Sequence, residues 1–453
     1  MLSYVDRKDH WSYLNSTPTA QLLKWPLITW GIAVTETLHY QDGQLCMESV
    51  ALESIVEALG TPTYVYSKAY LTDAVTRLAT AFSAVEHKIH YSVKANSNLA
   101  ILKLFSDLGC GFDIVSGGEL SRIVAAGCNS ENVIFSGVGK TIEEIDYALK
   151  LGIHCFNVES GQELTRISER AHNLDVRAPI SIRVNPDVDP QTHPYISTGL
   201  KTNKFGVDIE SAERLYTEAA EDPHLKTVGI DCHIGSQISQ IEPLLEALTC
   251  LLRLVDKLDA RGIVLEHIDL GGGMGIRYRD EVPMNFSTYG TAVGQLMRGR
   301  SQRILIEPGR SLIANAGVLL SRVEYLKPAT NEDTNNFAII DVAMNDLIRP
   351  ALYQAWHDVL PLSEPTPDVS PINWHIAGPV CESGDFIAHD RALNLMQGSL
   401  LAIASAGAYG MVQASNYNSR SRGCEVLVQD DRFSVIRRRE TISDQLRLER
   451  TLQ

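Results

Sequence analysis

From Thr63 onward the chain alternates short apolar runs with amphipathic stretches. Eight runs read as strands, at 89–94, 111–116, 133–137, 155–160, 180–185, 228–235, 267–273 and 304–309. Helical spacing of apolar residues fills the intervals, for example at 119–126, 142–151, 162–172, 212–220 and 243–258. The first four runs begin 22 residues apart, the span of one strand, one helix and two short loops. Eight strands alternating with helices without reversal predict a (β/α)8 barrel, with a doubly wound open sheet as the competing architecture. Either way, chemistry belongs at the carboxyl ends of the strands.

The flanks have another character. Residues 38–47 read as a hairpin around Asp42-Gly43, and 50–59 as a short helix stopped by Gly60 ahead of Pro62. A strand at 64–67 and a helix near 69–85 lead into the alternation. Past Arg310, short β-like runs at 336–342, 374–377, 400–405, 425–428 and 432–437 predict a mostly antiparallel β domain, completed by the N-terminal hairpin. The connection 354–373, with Pro361, Pro365, Pro367 and Pro371, reads as a loop. These boundaries divide the chain into an N-terminal segment 1–62, a barrel 63–310 and a β domain 311–453. Residues 1–35 hold Trp11, Trp25 and Trp30 but no motif.

Composition narrows the class of protein. With 453 residues, 44% apolar and 21% charged, the chain can bury a large core. A net charge of −15 argues against nucleic acid or an anionic membrane as partner. Eight cysteines without a C-x-x-C pair suit reduced thiols in a cytoplasmic protein. The sequence has no apolar run long enough for a transmembrane helix and no secretory signal.

The strand ends carry Lys94, Asp113, Ser116, Ser136, Glu159, Arg183, Asn185, His233 and Ser236, then Gly271-Gly272-Gly273 and Glu307-Pro-Gly309-Arg310. A lysine closing a buried strand is costly unless it snorkels, pairs or is chemically employed. The glycine run lets backbone N–H groups approach a phosphate, or else makes a tight barrel loop, and Ser236 offers a second donor. A phosphate site beside such a lysine points to pyridoxal 5'-phosphate, whose aldehyde takes an amine as a Schiff base. Glu307 suits the ring nitrogen, or a buried salt bridge to Arg310 or Arg183. His233 either stacks on the ring or is a satisfied core histidine. Cys381 taken alone reads as a small buried hydrophobe.

Five motifs in order, Tyr91-Ser-Val-Lys94-Ala-Asn96, His233-Ile-Gly-Ser-Gln237, Gly271-Gly-Gly273, Glu307-Pro-Gly-Arg310 and Gly378-Pro-Val-Cys381-Glu-Ser-Gly-Asp385, resemble the fold-type III pyridoxal phosphate decarboxylases. Met344-Asn-Asp-Leu-Ile-Arg349-Pro-Ala-Leu-Tyr353, Ala406-Gly-Ala-Tyr409-Gly and Ala414-Ser-Asn-Tyr-Asn-Ser-Arg420 look like the branch acting on diaminopimelate. The resemblance runs from about 38 to 445 and implies an alanine racemase-like barrel with a β domain. It implies that Lys94 carries the cofactor, with Asp113, Arg183, His233, Ser236, Gly271, Gly272, Gly273, Glu307, Gly309, Arg310 and Tyr409 around it. It further implies Arg310, Arg349, Tyr353, Glu382 and Tyr409 as substrate contacts. Lys94, His233 and Cys381 are the implied catalytic residues, with Cys381 the acid that protonates the carbanion. A homodimer with shared sites follows from the same resemblance.

The chemistry agrees with these roles. Diaminopimelate has a second amino-acid end, whose carboxylate needs cations such as Arg310 and Arg349 and whose ammonium needs an anion such as Glu382. Same-fold decarboxylases of ornithine, carboxynorspermidine or a carrier-bound amino acid are the nearest alternatives. A racemase would carry tyrosine where Cys381 stands, and an inactive regulatory homologue is the reading from another class.

Overall fold

In the computed structural model the described residues are 37–189, 203–331, 333–364 and 369–452. The unassigned segment 1–35 lies outside them. Asp42 and Gly43, at φ of 51° and 79°, turn β1 (Leu38–Gln41) into β2 (Gln44–Met47). Two consecutive left-handed residues make the tight turn whose twist matches the strands it joins. β3 (Val50–Ala51) adds a third strand to this small sheet. The hairpin was expected to complete the β domain. It forms its own small sheet and joins that domain through a Gln44–Ser363 bridge, with Leu45 N donating to Leu362 O and the Tyr40 hydroxyl to Pro361 O, both at 2.7 Å. After the helix Leu52–Leu59 and its stop at Gly60 comes β4 (Thr63–Ser67).

The eight apolar runs become β5 (His87–Ser92), β6 (Gly111–Ile114), β7 (Val133–Phe135), β8 (Cys155–Val158), β9 (Ala178–Arg183), β10 (Leu225–Asp231), β11 (His267–Asp269) and β12 (Arg303–Ile306). All pair in parallel with their chain neighbours, and β12 returns to β5 with Ile304 opposite His87, closing the barrel. Closure removes the open-sheet alternative. Each strand stops short of its apolar run because the polar residues at the run's end turn out of the ladder. Lys94 lies in a single 3-10 turn, Val93–Ala95. Ser116, Thr141, Ser160, Asp208 and Asn285 each accept a backbone N–H three residues on and so cap the following helix. Ser116, counted above among the reactive strand ends, is therefore a helix cap. The longest crossover helix, Glu242–Asp259, buries Leu244, Leu248, Leu251, Val255 and Leu258 at helical spacing.

The rest of the chain builds β13 (Gly317–Lys327), β14 (Phe337–Ile340), β15 (Val359–Pro361), β16 (Ile372–Ala377), β17 (Phe386–Leu393), β18 (Leu400–Ile403), β19 (Cys424–Gln429) and β20 (Arg432–Arg437). Their sheet runs β17-β16-β14-β13-β4-β19-β20, with β18 pairing both β13 and β15. Most pairs are antiparallel; β14–β16 and β4–β19 are parallel. β4 opens the segment read as barrel, yet its hydrogen bonds go to β13 and β19. β15 is a short strand inside the connection read as a loop. Among the described residues no helix is long and apolar enough to cross a membrane, and all eight cysteines are free, Cys381 exposed.

Candidate active site

Lys94 sits where β5 ends, its Nζ 2.6 Å from Asp113 Oδ2 on β6. Its side chain keeps 36% exposure while Asp113 has none, so the amine looks out of a buried carboxylate floor. Burial alone would push the ammonium pKa down, but Asp113, Glu307 and Tyr409 outweigh it and hold it up. Ser92 Oγ lies 2.9 Å from Asp113 Oδ2 and also 2.9 Å from Glu307 O, tying β5 to both neighbours.

Beneath the lysine lies a feature that pattern reading missed. Asp231 and Asp269 stand side by side at the ends of β10 and β11, paired in register. With Glu307 they bring carboxylate oxygens within 4.8 Å of one another, all three buried. One oxygen of each of Asp113, Asp231, Asp269 and Glu307 has no hydrogen-bond partner among the described residues. Burial and mutual repulsion push Asp231 and Glu307 well up, and Asp269 to about 7. Glu307 makes no ion pair with Arg310 or Arg183 among the described residues, which removes the salt-bridge alternative. Arg183 instead donates to Glu159 Oε1 at 3.0 Å and to His233 O at 3.3 Å. A signal for the two aspartates was present: each is an acid inside an apolar run, as Glu307 is.

The glycine run wraps this floor. Gly271 N donates to Asp269 Oδ1 at 2.9 Å and Gly272 N to His233 Nδ1 at 3.1 Å. A Cβ on Gly272 would fall 2.1 Å from Glu307 O, and one on Gly273, at φ +85°, 2.4 Å from Gly235 O, so side chains are excluded. The Gly272 bond makes His233 Nδ1 the acceptor and leaves the hydrogen of a neutral ring on Nε2. Burial, Arg183 and Lys94 together hold that imidazole well below its usual range. Gly309 packs its backbone against Ser92 and Ala95, where an added Cβ would meet theirs at 3.1 Å.

The other end of the pocket is cationic. Arg310 donates to the Tyr278 hydroxyl at 2.7 Å and to Ser236 Oγ at 3.2 Å, and lies over the Tyr409 ring at 4.8 Å. Tyr409, at φ +56°, is held beside Lys94 by a 2.8 Å bond from its N to Ala95 O. Arg349 begins the short helix Arg349–Tyr353, lies 4.5 Å over the Tyr278 ring and bonds His357 Nε2 at 2.8 Å. Tyr353 closes the short helix that Arg349 opens. Neither Arg310 nor Arg349 pairs with a carboxylate among the described residues, though both are buried. Tyr278 and His357 carried no sequence signal; only packing brings them to the arginines.

Cys381 and Glu382 are not part of this cluster. Both are exposed, Cys381 N donating to Asn418 Oδ1 at 2.9 Å and Glu382 N to Val380 O at 2.8 Å. The Asp385 carboxylate pins their turn through Met344 N and Val380 N. The reading of Cys381 as a buried hydrophobe is thereby overturned.

A primary amine paired with a buried carboxylate, near Glu307 with an oxygen that has no partner among the described residues and beside a loop that admits only glycine, fits pyridoxal 5'-phosphate. Residues 69–314 match the family model described as pyridoxal-dependent decarboxylase, pyridoxal binding domain. Diaminopimelate decarboxylase of Pseudomonas aeruginosa is 54% identical over 409 residues, covering 90% of this chain and 97% of that one. The Vibrio cholerae enzyme of that name is 49% identical, covering 91% and 98%. The crystal structure of Helicobacter pylori diaminopimelate decarboxylase complexed with L-lysine superposes with a TM-score of 0.83 at 40% identity, covering 88% of this chain and 98% of that one. Motifs, barrel and relatives agree: the chain belongs to the pyridoxal-dependent decarboxylases, within their diaminopimelate decarboxylase group.

Proposed function

We propose that the chain decarboxylates meso-2,6-diaminopimelate to L-lysine and carbon dioxide with pyridoxal 5'-phosphate, the last step of lysine synthesis. The observation that carries this reading is a pair of buried guanidinium groups with no acid partner among the described residues: Arg310 over the ring of Tyr409, which is bonded to Ala95 next to Lys94, and Arg349 over Tyr278, which Arg310 also contacts. An amine and an anion receptor in one site suit a substrate with a reacting end and a second carboxylate. When bound, pyridoxal phosphate supplies an electron sink for the bond to the departing carboxylate.

The protein's part is to hold and to exchange protons. Lys94 Nζ would anchor the cofactor, and in its absence Asp113 Oδ2 holds the amine in place as its ion-pair partner. Glu307 would serve the pyridine nitrogen, and His233, its plane set by Gly272 N–H, would pack against the ring. Ser236, Gly309 and Arg310 with the side-chain-free loop Gly271, Gly272 and Gly273 would line the phosphate, and Arg183 braces the wall through Glu159. Arg310, Arg349, Tyr353 and Tyr409 receive the substrate's far end. Cys381 Sγ gives a proton to the carbon that has lost carbon dioxide, and Glu382 holds the distal ammonium. Because these two are exposed, we place them in the site of a second copy, making a homodimer with shared sites. The division at 62/63 and 310/311 belongs to this reading, with β4 lent to the second sheet. So does a cytoplasmic location, where the free thiols stay reduced.

The test is carbon dioxide release from meso-diaminopimelate and from ornithine. We expect kcat/KM to favour diaminopimelate by about a hundredfold or more, since ornithine would leave buried arginines unpaired. Equal turnover of the two would sink the assignment.

A further inference from the structure

Arg349 is held by an unusual partner. Its Nη1 lies 2.8 Å from His357 Nε2, and His357 Nδ1 lies 2.8 Å from the carbonyl oxygen of Ala404. A carbonyl only accepts, so Nδ1 bears the hydrogen and Nε2 offers its lone pair to the guanidinium. The ring is fully buried, and burial with Arg349, Arg310 and Arg391 nearby pushes its pKa down to about 3. The groups packed around it agree. Tyr278 meets it edge-on with centroids 5.5 Å apart, and Arg391 donates to its backbone oxygen at 3.1 Å. Tyr278 meanwhile offers its ring face to Arg349 and its hydroxyl to Arg310.

A buried guanidinium is ordinarily matched with a carboxylate, which orients it and cancels its charge together. Here the orienting partner is neutral. We propose that His357 is a positioning residue for substrate specificity, aiming Arg349 into the pocket while leaving its charge for the substrate's distal carboxylate. A glutamate in its place would hold the arginine more tightly and silence it. An aliphatic residue would leave the charge but free the side chain to rotate away. The inference rests on the reading of Arg349 as a carboxylate receptor, and its test separates the two.

L-Lysine and 1,5-diaminopentane differ only by that carboxylate. Their affinities for the holoenzyme, measured by calorimetry, give a ratio that reports the arginine's action. We expect wild type to prefer L-lysine at least about tenfold, as a charge-assisted contact requires. Arg349→Ala should abolish the preference. His357→Leu and His357→Glu should each cut it about tenfold, by raising the dissociation constant for lysine and not for the diamine. His357→Gln, which keeps one acceptor and one donor, should stay within about threefold of wild type. The visible spectrum of the bound cofactor and a thermal melt record whether each variant is folded and loaded. If Arg349→Ala loses the preference while folded His357→Leu and His357→Glu keep it, the inference is wrong and the receptor reading stands. If Arg349→Ala keeps it, the receptor reading itself falls. Neutron diffraction on the unaltered protein needs no substitution: a hydrogen on His357 Nε2 overturns the proposal, and its absence with Nδ1 occupied supports it.

Discussion

At one end of the pocket, Asp113, Asp231, Asp269 and Glu307 cluster near a single lysine, all buried and each with an oxygen that has no partner among the described residues. At the other, Arg310 and Arg349 are equally buried and have no acid within ion-pair distance among the described residues. Lys94 pairs with Asp113 and Arg183 lies 3.9 Å from Asp231, so the acidic end is only partly compensated, and the two ends respond differently to their excess charge. Buried carboxylates crowded together keep protons: burial first, then repulsion from Asp113, pushes Asp269 up to about 7. A guanidinium cannot shed its charge, so it takes neutral acceptors, the Tyr278 hydroxyl and the His357 nitrogen, and waits for an anion. One end is built to titrate and the other to bind.

The comparison can be broken most severely at Lys94. Lys94→Ala should lower turnover at least about ten-thousandfold and abolish the visible absorbance of the protein-bound cofactor. An unchanged spectrum would remove the lysine from the chemistry. Next comes Cys381, outside both ends in one chain. Cys381→Ala alone should be nearly inactive, yet mixing it with Lys94→Ala under subunit exchange should restore activity, because one composite site then has both residues intact. A mixture as dead as its parts argues for a site within one chain. At the cationic end, Arg349→Ala should raise KM for diaminopimelate about a hundredfold with a smaller fall in kcat, since it removes binding common to substrate and transition state. A fall in kcat alone would move Arg349 to the reacting end.

The smallest effect is on stability and sharpens the acidic end. Asp269 in the cofactor-free fold keeps a proton that the unfolded chain releases above its usual pKa of 3.8. The native state therefore binds more protons between about pH 4 and about pH 7, and stability falls as pH rises through that window. Asp269→Asn cannot titrate and keeps an acceptor for Gly271 N. Its urea midpoint, measured without cofactor, should fall less steeply with pH than wild type's. Parallel profiles would mean that Asp231 and Glu307 hold the proton instead.

Much of this was legible before any coordinates. The 22-residue spacing of runs that start at 89, 111, 133 and 155 already implied the barrel, because each period must hold one strand and one helix. Lys94, Glu307 and the glycine run stood out as residues whose placement in an apolar strand or tight loop is costly without a task. Less visible was β4, which sequence order assigns to the barrel and backbone hydrogen bonding assigns to the second sheet. Strand pairing depends on what lies alongside, and no local pattern encodes a partner some 250 or 360 residues away.

By itself, then, the sequence determined the period of the fold, the amine and the glycine loop, since each follows from spacing or from the cost of a residue type in its local setting; the pair of arginines came from the family resemblance. Only the tertiary structure decided which groups share a proton or a charge. The Asp231–Asp269–Glu307 cluster, the Tyr278 bridge and the tautomer of His357 are set by through-space contacts of a few ångströms between segments far apart in sequence. Electrostatics depends on that distance and on burial, and neither is written in the order of the residues.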